Sequence, residues 1–479
     1  MVALRSAALS LLGVTASFLL TPAHSQTTLS LHGSGTTNPS KCFWHIMAKI
    51  EEQLKIRGRL TYRAVGSGAG IQEFLGKDIN GTNTLQAYND FGSGDIPIDS
   101  QDRQDWFDAG IEFVQLPFVL SAVGFFHSIP GVPSGEGGLN MTACLLARVF
   151  STDITTWDHP DILYLNPGLN VEKNYKIFVG RRVLGSSSTY SITNYLYAQC
   201  PQTDDNPKGW PADQVGSTVD WDESTNACDG SGPMTDCIVE NEGAIGYIDV
   251  AHAHEEGLNE IKLRNGDGNF LTSKEAGVEG IQEAAKDLSD APDSADGDFS
   301  NVAFYNKPGR NTWPISLVSY IYVRKNLGHM ENPASRQLLK AFAKTLFDPE
   351  YIGLCERYGL IPVPDDLRDL SLNGLEMIQM DDENNAHEFS FETVDTLPGT
   401  GQGDYVISAR RENFALYESD RLADDVQEMK ETINLLQLEL AAMRASVAES
   451  GSSGAMGMMK TSGTVVGLGA IVAVLLLGF

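Results

Sequence analysis

The sequence predicts an α/β fold with mostly parallel sheets, continued by a helical coiled coil and an apolar tail. Three observations predict it. Residues 28 to about 365 alternate short apolar runs with amphipathic stretches, the grammar of layered α/β domains. Turns rich in Gly, Ser and Thr stand where strands pass into helices. Past Leu422 the apolar spacing changes to strict steps of four and three, which fits a narrow helical seam.

Leu29-Ser30-Leu31 opens the series as a strand. Cys42 to Leu54 follows as a helix, with Phe43, Ile46, Met47 and Ile50 on one face. Leu60 to Val65 is a strand and Ala69 to Leu75 a helix. Phe113 to Leu120, Ala122 to Phe126 and Ile177 to Val179 are three further strands. Residues 266 to 300, rich in Asp, Gly and Ser, predict a loop excursion with a short helix near Glu275 to Leu288. From Pro364 the periodicity fades, and 366–420 reads as acidic and irregular. Leu422, Val426, Met429, Ile433, Leu436, Leu440, Met443 and Val447 then form an a/d seam. It predicts a coiled coil over 421–448, against the alternative of one amphipathic helix packed on its own domain. Residues 449–463, small and polar apart from methionines, form a linker.

Arg5, the apolar run Ala7 to Leu20 and Ala23-His24-Ser25 make residues 1–25 a secretory signal peptide. The run Thr464 to Phe479 has 16 residues and no charge. As a helix it would reach about 24 Å, short of a hydrocarbon core. Ser452-Ser453-Gly454 offers small residues for a glycosylphosphatidylinositol attachment, with Ser452 as the attached residue. A removed anchor signal and a short transmembrane helix both stand as readings of 464–479. Either places the chain on the secretory route to the cell surface, held to a membrane by its tail.

The net charge is −29, so nucleic acid is excluded as a partner. With 42% hydrophobic residues the chain can still build real cores. Six cysteines in a secreted chain predict disulfides with fifteen connectivities, of which only Cys228–Cys237 is suggested by closeness. Asn80 and Asn140 head N-glycosylation triplets. No CxxC pair or other metal-ligand spacing occurs, and no metal or cofactor is expected. His252, His254 and Glu255 read as a solvated stretch.

Three turns carry the chemistry. They are Gly33-Ser34-Gly35-Thr36-Thr37-Asn38-Pro39, Gly66-Ser67-Gly68-Ala69-Gly70, and Arg181-Arg182 with Gly185-Ser186-Ser187-Ser188-Thr189. Each precedes a helix, so each offers unpaired N–H groups and a partial positive charge to an anion. Pro39 fits the first helical position, which puts Thr37 and Asn38 at the cap. Arg182 can add a fixed bidentate charge. None completes a GxGxxG or Walker motif, which argues against a nucleotide. In Phe91-Gly92-Ser93-Gly94-Asp95-Ile96-Pro97 a carboxylate stands in a tight apolar turn. Asp95 can take a hydrogen bond only from a protonated ligand. Phosphate carries a proton near neutral pH; sulfate does not.

Together these segments resemble the phosphate-binding proteins of bacterial Pst-type ABC uptake systems over about residues 29 to 365. The resemblance includes Gln115-Leu116-Pro117, Ile154-Thr155-Thr156-Trp157-Asp158, Leu165-Asn166-Pro167-Gly168-Leu169, Gly216-Ser217-Thr218-Val219 and Gly243-Ala244-Ile245-Gly246-Tyr247. It implies a type II periplasmic-binding fold: two α/β lobes, about 26–105 with 260–365 and about 106–259, joined by a hinge. It implies inorganic phosphate bound between them by Thr37, Asn38, Ser67, Asp95, Arg182, Ser186, Ser187 and Ser188, and a transporter as partner. Three positions depart from the pattern: Asn38 replaces an aromatic residue, Ser187 a glycine, and Leu184 an aspartate that braces the arginine. The coiled coil and tail lie outside it. With the glycosylation triplets they point to a eukaryotic surface protein, with self-association through the seam. The rival readings are a secreted phosphatase or serine hydrolase, for which no GxSxG elbow is present, and an adhesive surface protein with a degenerate clamp.

Overall fold

The computed structural model describes residues 28–436 apart from 79–84, 87, 184, 229, 287, 289, 381–387, 398, 416, 420, 423, 424, 427, 431 and 434. The signal peptide, linker and apolar tail therefore lie outside the described residues, as do Asn80, Leu184, Ser452 and the last three seam positions. The chain divides into two compact units, Met1–Arg411 and Glu412–Phe479.

The first unit is built on one twisted path of strands. Strand Leu29–Gly35 runs parallel to Gly58–Ala64 on one side and to Phe91–Gly94 on the other. Phe91–Gly94 pairs antiparallel with Ser316–Arg324, which runs antiparallel along Phe113–His127. The far half of that strand pairs antiparallel with Ala244–Asp249. Ala244–Asp249 is parallel to Phe178–Arg181, which in turn is parallel to Asn226–Ala227. Parallel strands fed by helices thus sit at both ends, and an antiparallel ribbon joins them. The two ends are the two lobes.

Phe113–His127 is one strand of 15 residues, not the two expected, and all 15 are buried. The break expected at Ser121 is absent: Ser121 pairs with Leu317 in the ladder. Pro117 is accommodated because the register slips between Ser319 and Tyr320, which frees the backbone at a bulge. The hydroxyl of Ser371 donates to the Pro117 carbonyl at 2.8 Å.

That serine belongs to a helix where irregular chain was expected. Asp365–Glu376 forms it, with Asp365 and Asp366 in the first turn favourable to the helix dipole. Leu367, Ser371 and Leu375 lie buried along one face. The first unit then continues through the paired strands Ser390–Glu392 and Val406–Ser408, with Phe389, Val406 and Ile407 buried. The return to the first lobe also comes later than residue 260. Strand Lys262–Arg264 pairs with Asn140–Met141 of the second lobe. The indole Nε1 of Trp313 donates to the Val123 carbonyl at 3.1 Å. The chain returns near Ala295, whose carbonyl accepts from Gln115 N–H at 2.8 Å, and Ser316–Arg324 then joins the sheet beside Phe91–Gly94.

Helix Ser40–Gln53 buries Phe43, Ile46, Met47 and Ile50, as the spacing predicted. The expected helix near 275–288 is Ser273–Glu283, opened by a Thr272–Glu275 capping box and kinked at Gly277. The disulfides are Cys42–Cys355, Cys144–Cys200 and Cys228–Cys237.

In the second unit, the described residues from 414 to 436 are largely helical. Leu422, Val426, Met429, Ile433 and Leu436 are all exposed. Among the described residues no helix is long and apolar enough to cross a membrane.

Candidate anion site between the lobes

The three turns meet. Close backbone approach brings them together, and glycine permits it. A Cβ on Gly35, whose φ is +151°, would overlap the Ser93 carbonyl, and one on Gly70 would overlap the Gly35 backbone. Across the lobes, a Cβ on Gly66 would stand 3.7 Å from the Gly185 carbonyl, so the second and third turns face each other at contact distance. Thr36, Thr37, Asn38, Ser67, Asp95, Arg182, Ser186, Ser187 and Ser188 line one cavity of about 20 Å³, with Asp249 and Ser231 beside them. Every ligand residue that the resemblance implied is in it. A space this small suits a compact ligand.

Asp95 is the organising group. It is 4% exposed, just past strand Phe91–Gly94. Its Oδ1 accepts from the Ser319 hydroxyl at 2.6 Å. Its Oδ2 accepts from the hydroxyls of Thr36 at 2.5 Å and Ser187 at 3.0 Å. Its backbone N–H donates to Ser67 Oγ at 3.2 Å. Burial nevertheless pushes the carboxyl up to about 6, because three neutral hydroxyls offset only part of the lost hydration. The contact with Ser187 crosses from one lobe to the other. So does the ion pair of Lys41 with Glu255 at 2.5 Å, which is exposed on both sides. The lobes are closed on each other.

The helix starts differ from expectation at two turns. Helix Ser40–Gln53 begins one residue late, with Pro39 at the cap position and no side-chain cap. Thr37 therefore does not cap it; its carbonyl accepts from Ser40 instead. Thr36 makes the buried contact to Asp95. Asn38 reaches the hinge strands: its Nδ2 donates to Ser121 Oγ at 2.6 Å, and its Oδ1 is buried without a partner. Gly66, with φ +93°, precedes helix Ser67–Leu75, so Ser67 is its first residue. Ser186 caps helix Ser187–Gln199 through Thr189 N–H, and Ser187 and Ser188 fill its first turn. Arg182 follows strand Phe178–Arg181, with its backbone N–H on the Tyr247 hydroxyl at 3.1 Å.

Sequence reasoning missed Thr36, Ser121, Ser319, Ser231 and Asp249. Larger cavities of about 410 Å³ and 310 Å³ lie elsewhere. In the first, Lys325 is already matched by Glu112 at 2.7 Å and Asp296 at 3.1 Å. His254, read as solvated, is instead half-buried, with Nε2 2.9 Å from the buried Glu260. Among the described residues no group of three or more His, Cys, Asp or Glu could hold a metal ion. Asn140 sits on a short strand, its backbone N–H bonded to Asn166 Oδ1 at 2.7 Å.

The comparisons bear on the fold that carries these turns. A family profile described as the PBP superfamily domain matches residues 21–350. The phosphate-binding protein PstS of Haemophilus influenzae is 26% identical over 338 residues, covering 71% of this chain and 90% of that protein. PstS of Xylella fastidiosa is 26% identical over 295 residues, 60% of this chain and 70% of its own length. Among solved structures, the phosphate-binding protein of Stenotrophomonas maltophilia superposes with a TM-score of 0.53 at 16% identity, over 71% of this chain and 92% of its own. A human phosphate-binding apolipoprotein does so at 0.53 and 15%, over 73% and 98%. These structures share the fold. With the profile spanning both lobes and all three turns, the chain belongs to the PBP superfamily.

Proposed function

We propose that the protein captures inorganic phosphate between its two lobes, outside the cell, without turning it over. The observation that carries this is Asp95: a buried carboxylate, acceptor only when ionised, placed in a compact cavity with Arg182 and helix N-termini. Such a site asks for an anion that still bears a proton. The relatives named for phosphate binding support the same ligand. Ser67, Ser186, Ser187 and Ser188 supply hydroxyls and helix-start N–H groups, Thr37 and Asn38 the first turn, and Arg182 the charge. The Ser187 hydroxyl can turn from Asp95 to the ligand and free a lone pair for the ligand's proton. Asp95 already holds three hydroxyls, which leaves it little capacity to activate a nucleophile. Calorimetric titration of the mature chain with phosphate should give one site per chain. Absence of binding would overturn the proposal.

The same reading makes the second unit a stalk. Five seam positions are apolar, helical and exposed, which a partner helix would bury. In analytical ultracentrifugation, a chain ending at 448 should self-associate and one ending at 411 should not. Two monomers would contradict the stalk.

The tail holds this stalk to the membrane, by a lipid anchor at Ser452 or as a short transmembrane helix. Phosphatidylinositol-specific phospholipase C is expected to release the protein from intact cells. Retention, together with a recovered C-terminal peptide containing Phe479, would decide for the helix.

A further inference from the structure

The cavity holds a second carboxylate. Asp249 ends strand Ala244–Asp249 and caps helix Val250–Glu255. Its Oδ1 accepts from His252 N–H at 2.9 Å. Among the described residues its Oδ2 has only the Ser231 hydroxyl, at 3.5 Å, the outer limit of a hydrogen bond. Both Asp249 and Ser231 line the space that Asp95 and Arg182 line. Asp249 thus keeps acceptor capacity that Asp95, with three donors, has largely used.

The charges around this space come from every packed element. The second lobe gives Arg182 and Arg181, the latter with Nε bonded to Thr225 Oγ1 at 3.3 Å. It also gives Tyr247, whose hydroxyl meets Arg182 N–H and Thr189. His252 turns its backbone N–H to Asp249. The first lobe gives Asp95, and Tyr62, Tyr320 and Tyr322, which burial keeps neutral. Lys41 and Glu255 cancel each other between the lobes. Among the described residues that line the cavity, Arg182 is therefore opposed by two carboxylates against a bound anion. Asp249 also helps to raise Asp95, as two like charges near one site must.

We infer that Asp249 is a second acceptor for a ligand proton, so that the cavity takes the dihydrogen monoanion of phosphate in preference to the hydrogen dianion. The monoanion has two P–OH groups for two carboxylates; the dianion has one, and leaves a carboxylate facing an unprotonated oxygen. This rests on the phosphate reading above.

The test is the pH profile of affinity for inorganic phosphate, with the full mature chain, above phosphate's second ionisation. A monoanion-selective site loses about tenfold in apparent affinity per pH unit there, because its ligand falls tenfold. In Asp249→Asn the loss should shrink to about twofold per unit or less. Asparagine caps helices as well as aspartate does, so the fold and the Ser231 contact survive the change. Asp249→Ala provides a second variant without the cap. A flat profile in the wild type, or an unchanged slope in Asp249→Asn, overturns the inference while phosphate binding stands. No phosphate binding by the wild type at any pH overturns both.

Discussion

Asp95→Asn is expected to bind sulfate, with discrimination against it reduced by about 10⁴-fold, while phosphate binding survives. A site built around a specific hydrogen bond rejects an analogue lacking the partner by that order. Ionised Asp95 and a sulfate oxygen would press two acceptors together in a water-excluded cavity. Asparagine offers an N–H to either anion. The network around it can re-form, because the hydroxyls of Thr36, Ser187 and Ser319 can accept as well as donate. The same change should stabilise the ligand-free protein at neutral pH. Asp95 titrates at about 6 when folded, above its ordinary range. Its contribution to stability is thus full below about pH 4 and is lost as pH rises through about 6. Above that window the buried charge costs on the order of 2–3 kcal/mol, and asparagine removes the cost. Thermal unfolding at pH 7 should show a higher midpoint in Asp95→Asn. A variant that still rejects sulfate would contradict this account of selectivity.

Arg182→Ala should weaken phosphate binding by about 30-fold or more, a loss on the order of 2–5 kcal/mol for a desolvated charge contact. The cavity lining contains one arginine and two carboxylates, Asp95 and Asp249. Without the guanidinium a bound anion would face net negative charge in a chain whose overall field already repels it. Helix N-termini and serine hydroxyls would remain, so weak binding is expected rather than none. Titration calorimetry measures it, and an unchanged affinity would mean that the anion sits elsewhere.

The three turns were legible because close approach and helix capping demand particular residues. Gly35, Gly66 and Gly70 stand where a Cβ would collide or the backbone has positive φ. Ser186 stands where a helix needs a cap. Their partners were not legible. Ser121 and Ser319 lie inside apolar strands, and nothing in a strand's alternation says that two such serines will face Asn38 and Asp95. The one available signal was a hydroxyl in a run that is mostly apolar. Asp249 looked like an ordinary cap because it is one; its second role depends on a tertiary neighbour, Ser231. Ser121 disguised one strand as two, since its place in the ladder opposite Leu317 is set by the partner strand. The helix Asp365–Glu376 was hidden by its acidic composition, although Leu367, Ser371, Leu375 and Ile378 repeat at helical spacing and are all buried. The boundary near 365 moved to Arg411 for the same reason.

On the proposed function, a buried acceptor selects a protonated anion between two closed lobes. Competition calorimetry tests it most directly: phosphate is titrated into the mature protein near neutral pH, with and without a large excess of sulfate. One phosphate per chain is expected, with the same affinity whether or not sulfate is present. Displacement of phosphate by sulfate, or equal heats from the two anions, would contradict it.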